Sequence, residues 1–238
     1  MVYCFVGGPM IESVLMDGAV ETASTLASWL PMQKFYLSDG TALALQKGHR
    51  RSKDFDFFTL HSLEVLPELP QLDNLLKRFR RVEWIHKSPE QIDWRLDGVS
   101  VTLLAYPFAH DFDFRTWRGI TVADPKDIAL QKAYALGRRA RARDYIDLHA
   151  IMKAGLMSID EIIDRAQHTY GNAFSPRLFL QQLTYTHDLA DKDKDEAVSL
   201  MIEPQSFTIV EQDLQRLVQE WIDTLARHQP KSPKGPHS

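Results

Sequence analysis

The sequence predicts an α+β fold, a mixed sheet with flanking helices followed by a helical C-terminal portion, and three observations carry that reading. Between Lys34 and Thr59 an apolar run, a small-residue turn, a stretch of strong helix formers and the alternating Asp54-Phe55-Asp56-Phe57-Phe58 follow without a gap. Around Asp97-Gly98, two runs of strand character face each other across a two-residue turn. After Trp117, helix-start signals replace strand signals for the rest of the chain.

Taken in order, residues from about Ile11 to Leu30 read as a helix ahead of Pro31. Phe35, Tyr36 and Leu37 form a short strand, Gly40-Thr41 a turn, and Ala42 to Gln46 a helix closed by Gly48. Period-2 alternation then sets Asp54 and Asp56 on one face of a strand while the phenylalanines mostly face inward. Leu63 to Arg80 carries helical spacing through Leu66, Leu69, Leu72, Leu75, Leu76 and Phe79, but Pro67 and Pro70 confine regular helix to its second half. Arg81 to His86 and Gln91 to Leu96 read as strands around Ser88-Pro89, and Val99 to Tyr106 as a third beyond the hairpin turn.

Asp124 and Pro125 start a helix that runs to about Leu136, before Gly137. A second spans about Ala140 to Ala154 and stops at Gly155; Ser158 and Glu161 make a capping box for a third; Ser175-Pro176 begins a fourth. Asp191 to Glu196 is a solvated loop or a helix start, and a final amphipathic helix runs from Thr208 or Glu211 to about Ala226. The expected organisation is a sheet domain over 1–120, a helical domain over 121–228 and a disordered tail over 229–238, rich in Pro, Lys and Ser.

A chain of 238 residues can bury a proper core, and its one cysteine, Cys4, cannot form an internal disulfide. With no basic n-region backed by an apolar run and no stretch of about 18 apolar residues, a cytoplasmic protein without a membrane span is the expectation. The net charge of -4 excludes an overall basic field. Local clusters at 49–51, 77–81 and 138–143 still permit polyphosphate or RNA binding. The histidines lack zinc-ligand spacing, and Gly7-Gly8 opens no dinucleotide fingerprint.

The chemistry concentrates at the start of the sheet. Backbone N–H groups of the helix after Gly40-Thr41 can hold a phosphate; Gly40 lets the backbone come close, and Thr41 adds a hydroxyl donor. Asp54 and Asp56 supply the two carboxylates that Mg²⁺ or Mn²⁺ needs in phosphoryl transfer. Other Asp-x-Asp pairs, Asp111/Asp113, Asp191/Asp193 and Asp193/Asp195, lack a phosphate-cradling neighbour. Arg50 or Arg51 can bind phosphate or base while Ser52 shapes the loop, or they are simply solvated. Lys132 shares a helix face with Ile128, so it needs an acidic partner or a ligand phosphate. On the next helix Asp144 lies at the edge, and Asp147 on the flank, of an apolar arc, so a salt bridge locking the two helices is the plainer alternative.

These residues carry a resemblance. Gly-Thr-Ala-Leu-Ala-Leu at 40–45, then Gly48-His49-Arg50 and Ser52-x-Asp54-Phe55-Asp56-Phe57-Phe58, resembles the AbiEii/AbiGii toxin family of nucleotidyltransferases, in the DNA-polymerase-beta-like superfamily. Ala105 to Phe108, Asp127 to Ala135 and Arg143-Asp144-x-x-Asp147-Leu148 match later motifs, so the likeness spans roughly Leu30 to Met152 and is loose beyond. It implies a nucleotidyltransferase-like sheet and metal-dependent transfer of a nucleoside monophosphate from a nucleoside triphosphate. The acceptor would be RNA such as tRNA, or a protein hydroxyl. The setting implied is a toxin–antitoxin or phage-defence system, with a cognate antitoxin as partner. In that scheme Asp54 and Asp56 hold metal, and Gly40, Thr41 and Lys132 bind phosphates. Asp144 or Asp147 orients Lys132 or an arginine, while Arg50, Arg51 and the 138–143 cluster place nucleotide or acceptor.

Two departures stand out. Asp39 occupies a position where the family commonly has glycine, which sets a carboxylate beside the triphosphate site. Val99 to Leu104 lacks the third carboxylate that some superfamily members use; Asp93 or Asp97 serves only under a different strand register, and the general base is unassigned. Both motivate an alternative, a nucleotide-binding or protein-interaction module without turnover.

Overall fold

The computed structural model describes residues 8–62, 64–136, 138–139 and 141–228. Cys4, Leu63, Gly137, Ala140 and the tail over 229–238 lie outside the described residues. The expected first helix is divided: a 3-10 turn covers Glu12–Val14, and α1 covers only Ala19–Ala27. Gly18, at φ 79°, breaks the chain between them. Ile11 donates its N–H to the Leu45 carbonyl, and Glu12 is drawn away to Trp117 and Arg118, so this segment satisfies its polar groups outside a helix.

A seven-stranded mixed sheet follows, in the order β3-β4-β5-β2-β1-β7-β6. Its strands are β1 (Phe35–Ser38), β2 (Asp54–Thr59), β3 (Val82–Lys87), β4 (Gln91–Leu96), β5 (Val99–Leu104), β6 (Arg115–Trp117) and β7 (Ile120–Val122). β1 runs antiparallel to β2 and parallel to β7, and β2 runs parallel to β5. Helix α2 (Asp39–Lys47) joins β1 to β2 and ends at Gly48 in the left-handed conformation, as the sequence predicts. Pro70 sits in the first turn of α3 (Leu69–Leu76), so the prolines do confine this helix to the end of its segment. Asp97 and Gly98 both have positive φ, the geometry of a tight hairpin turn.

β6 and β7 were not expected. They are three residues each and joined by Arg118-Gly119, again with positive φ at both positions. An Arg-Gly turn is a weaker hairpin signal than Asn-Gly or Asp-Gly.

The two faces of the sheet divide by parity. Phe55, Phe57, Ile92, Trp94, Leu96, Val101 and Leu103 are buried in the core, whereas Asp54, Asp56, Asp93, Ser100 and Thr102 stand on the opposite, half-buried face. Across that second face lie α4 (Pro125–Leu136) and α5 (Ala142–Lys153), followed by α6 (Ile159–Tyr170), α7 (Pro176–Thr184), α8 (Asp191–Ser199) and α9 (Phe207–His228). The Asp124 carboxylate accepts the Lys126 N–H, and the Ser158/Glu161 capping box is complete. Asp191 to Glu196 is a helix start, and Asp193 accepts the Ala142 N–H, so α8 caps the first turn of α5.

Candidate active site

The register of the sheet assembles the site. Ser38, the last residue of β1, pairs with Asp56, so the first turn of α2 opens beside the acidic strand. Asp56 also lies opposite Thr102, which lies opposite Asp93, placing the three in one row across β2, β5 and β4. Asp97 is excluded from the site, because its carboxylate accepts the Arg81 N–H at the hairpin turn.

Asp54 and Asp56 therefore share one face, as predicted. Arg143 reaches Asp54 at 3.1 Å. Burial and the neighbouring carboxylates Asp39 and Asp54 push the Asp56 carboxyl up to about 7. Among the described residues Asp56 has no ion-pair partner within 4 Å, and with Asp54 it makes a donor set suited to a divalent metal.

Behind these two carboxylates a buried ion cluster ties α2, α4 and α5 together. Arg50, 2% exposed, donates from Nε to Asp147 Oδ1 at 2.7 Å and from Nη2 to Asp147 Oδ2 at 3.0 Å. His49 Nε2 bonds the same carboxylate at 2.7 Å. Burial opposes ionisation of Asp147, but Arg50, Lys132 and His49 outweigh it and hold the carboxyl well below its usual range. Burial also favours the neutral form of His49 and keeps its pKa low.

Lys132 lies at the centre of the cluster, paired with Asp39 and Asp144 and 3.1 Å from Asp147. Oxygens of these three carboxylates lie within 4.8 Å of one another, a spacing that suits a metal ion, but the cation between them is the Lys132 ammonium. Burial works against that ammonium, and the three carboxylates more than restore it, so it stays charged. Burial, with the Asp39 carboxylate alongside, pushes the Asp144 carboxyl up despite the pull of Lys132, and among the described residues its buried Oδ2 accepts no hydrogen bond.

The predicted residues thus divide. Gly40, Thr41, Arg50, Ser52, Asp54, Asp56, Lys132 and Asp144 all border one cavity of about 300 Å³. Thr41 bonds Ser52 at 2.7 Å and the Asp54 carbonyl, so its hydroxyl braces the acidic strand. Gly40 is required by packing, because a Cβ there would lie 1.9 Å from Arg50 Nη2. Asp147 stands behind the cavity and orients both Arg50 and Lys132. Arg51 is exposed and is not brought to the cavity.

Sequence reasoning missed a second cavity, of about 570 Å³, which meets the first at Asp39, Asp56, Asp93, Thr102, Lys132 and Arg139. Its far wall carries Phe58, Tyr106 and Tyr134, with the Arg138 guanidinium 3.5 Å from the Tyr134 ring centre. Phe58, Tyr106 and Tyr134 each lie in a motif quoted from the sequence and Arg138 in a basic cluster, but nothing in the sequence brought the four together.

A model of the nucleotidyl transferase AbiEii toxin of type IV toxin–antitoxin systems matches residues 105–223, half of the chain. The chain belongs to the AbiEii nucleotidyl transferase toxin family. This match includes Lys132, Asp144 and Asp147 and extends past Met152, where the resemblance read from the sequence was loose. A protein from Aquifex aeolicus is 31% identical over 196 residues, which cover 79% of this chain and 88% of that protein. Two solved structures share the fold. MenT4, a nucleotidyltransferase toxin of Mycobacterium tuberculosis, has a TM-score of 0.54 at 15% identity and covers 90% of this chain and 91% of its own. JHP933 of Helicobacter pylori has a TM-score of 0.52 at 17% identity, with 90% and 95% covered. As a member of this AbiEii family the chain is a nucleotidyltransferase. Among the described residues no helix is long and apolar enough to cross a membrane.

Proposed function

We propose that the protein transfers a nucleoside monophosphate from a nucleoside triphosphate to a hydroxyl of an RNA acceptor such as tRNA. The supporting observation is that two unlike cavities meet at one row of carboxylates. The first is bordered by Arg139, Arg141, Arg143 and the α2 start, which suits a triphosphate. The second offers aromatic faces and a stacked guanidinium, which suit a base of the acceptor better than a protein side chain.

In this reading the acceptor oxygen bonds to the α-phosphorus, the bond to the bridging oxygen of the β-phosphate breaks, and pyrophosphate leaves. Asp54 and Asp56 would hold Mg²⁺ or Mn²⁺, which would supply neutralisation of the charge on the phosphates. Asp93, on the same face and facing both cavities, takes the proton of the acceptor hydroxyl. Gly40 and Thr41 present the α2 N–H groups to the phosphates, and Lys132 joins them. The sheet portion to about residue 120 carries the donor and the helical portion to 228 closes over it, with Arg139, Arg141 and Arg143 toward the triphosphate and Arg138 toward the acceptor. The setting is a cytoplasmic toxin–antitoxin or phage-defence pair in which a cognate antitoxin restrains the protein.

Incubation with each α-labelled nucleoside triphosphate, a divalent cation, and total bacterial RNA or protein tests the acceptor. Label in RNA supports the reading; label confined to protein overturns the RNA assignment.

A further inference from the structure

Lys132 is ringed by carboxylates. Asp39 and Asp144 accept its N–H donors, and Asp147 Oδ2 lies 3.1 Å away as a third ion-pair partner. A phosphate that reaches Lys132 from the cavities has to compete with one of these carboxylates.

Two of the three are fixed. Asp147 is fully buried and is gripped by both Arg50 bonds and by His49. Asp144 is 3% exposed in the first turn of α5. Asp39 differs on three counts. Its side chain is 21% exposed and stands where the two cavities meet. Among the described residues its other oxygen bonds only Arg139, at 3.4 Å, and Arg139 is itself 55% exposed. Its backbone has φ 55°, left-handed space that disfavours a side chain and that asparagine and aspartate tolerate best.

We propose that Asp39 is an exchangeable latch: in the nucleotide-free protein its carboxylate stands in for a substrate phosphate on Lys132 and Arg139, and an incoming triphosphate displaces it. This rests on the nucleotidyltransferase reading and adds to it a residue that sets donor affinity. A binding-competent form populated only in part lowers apparent affinity by that fraction. Removing the latch therefore tightens binding without any new contact. Lys132 keeps Asp144 and Asp147, so the fold does not depend on Asp39.

The test is calorimetric titration of the full chain, Asp39→Asn and Asp39→Gly with inorganic tripolyphosphate and with each nucleoside triphosphate, in EDTA and in Mg²⁺. Thermal unfolding confirms that each variant folds. Both variants are expected to bind roughly tenfold tighter or better, with or without the cation, as for a state that was a tenth populated or less. Unchanged affinity overturns the latch alone. Weaker binding confined to Mg²⁺ overturns it in favour of a metal-ligand role for Asp39. Failure of all three forms to bind any nucleotide overturns the nucleotide reading itself, and the latch with it.

Discussion

Replacing Gly40 by alanine separates a packing requirement from a substrate requirement. The new Cβ would lie 1.9 Å from Arg50 Nη2, 3.0 Å from Cζ and 3.4 Å from Asp147 Oδ2. Restoring van der Waals distance moves the guanidinium by roughly 1.5 Å. That breaks the 3.0 Å bond from Nη2 to Asp147, inside a site where Arg50 is 2% exposed. Disrupting a buried ion pair costs about 3–5 kcal/mol, while alanine recovers at most about 1 kcal/mol of helix propensity over glycine. A net loss of about 2–4 kcal/mol lowers Tm by roughly 5–15 °C in a chain of this size. Thermal unfolding of nucleotide-free protein reads the effect directly. If Tm stays within about 2 °C while nucleotide binding disappears, Gly40 serves the approach of phosphate and the packing argument is wrong.

Arg143→Ala should behave in the opposite way. The pair with Asp54 is partly exposed, so stability changes by less than about 1 kcal/mol, whereas loss of a phosphate contact weakens titrated nucleotide binding; a Tm loss without weaker binding would contradict the assignment. Asp93→Asn is expected to slow transfer by about 100-fold or more with donor affinity intact, and a changed donor affinity at an unchanged rate would remove it as proton acceptor. The raised Asp56 carboxyl sets a pH dependence in metal-free protein. The folded chain holds its proton up to about 7 and the unfolded chain only to 3.8, so this group takes stability away as pH climbs through that window. Asp56→Asn should therefore gain stability over the native chain more at pH 8 than at pH 5, by about 1–2 kcal/mol after allowing for partial exposure. An equal difference at both pH values would show that Asp56 titrates normally.

Local signals carried much of the fold. Period 2 placed Asp54 and Asp56 on one face, and Gly48, Gly155, Asp124 and the Ser158/Glu161 pair marked helix ends that the structure keeps. One step could have gone further. A two-residue turn at Asp97-Gly98 fixes Leu96 opposite Val99, and counting back puts Asp93 opposite Thr102. The parallel pairing of Asp56 with Thr102 has no local signal, so the row of three stayed hidden until strands distant in sequence were placed. Asp39 was read as a repulsive neighbour of the triphosphate; only the three-dimensional meeting of α2, α4 and α5 shows it bound to Lys132. β6 and β7 escaped because three-residue strands around Arg-Gly carry little pattern.

Transfer at the α-phosphorus by the Asp54/Asp56 site is tested most directly by giving the native chain and an Asp54→Asn/Asp56→Asn variant the same nucleoside triphosphate labelled at the α or the γ position, with Mg²⁺ and acceptor RNA. The expected result is label on the macromolecule from the α position alone, lost in a variant that still unfolds cooperatively. Label from the γ position, or α-label that survives both substitutions, would contradict it.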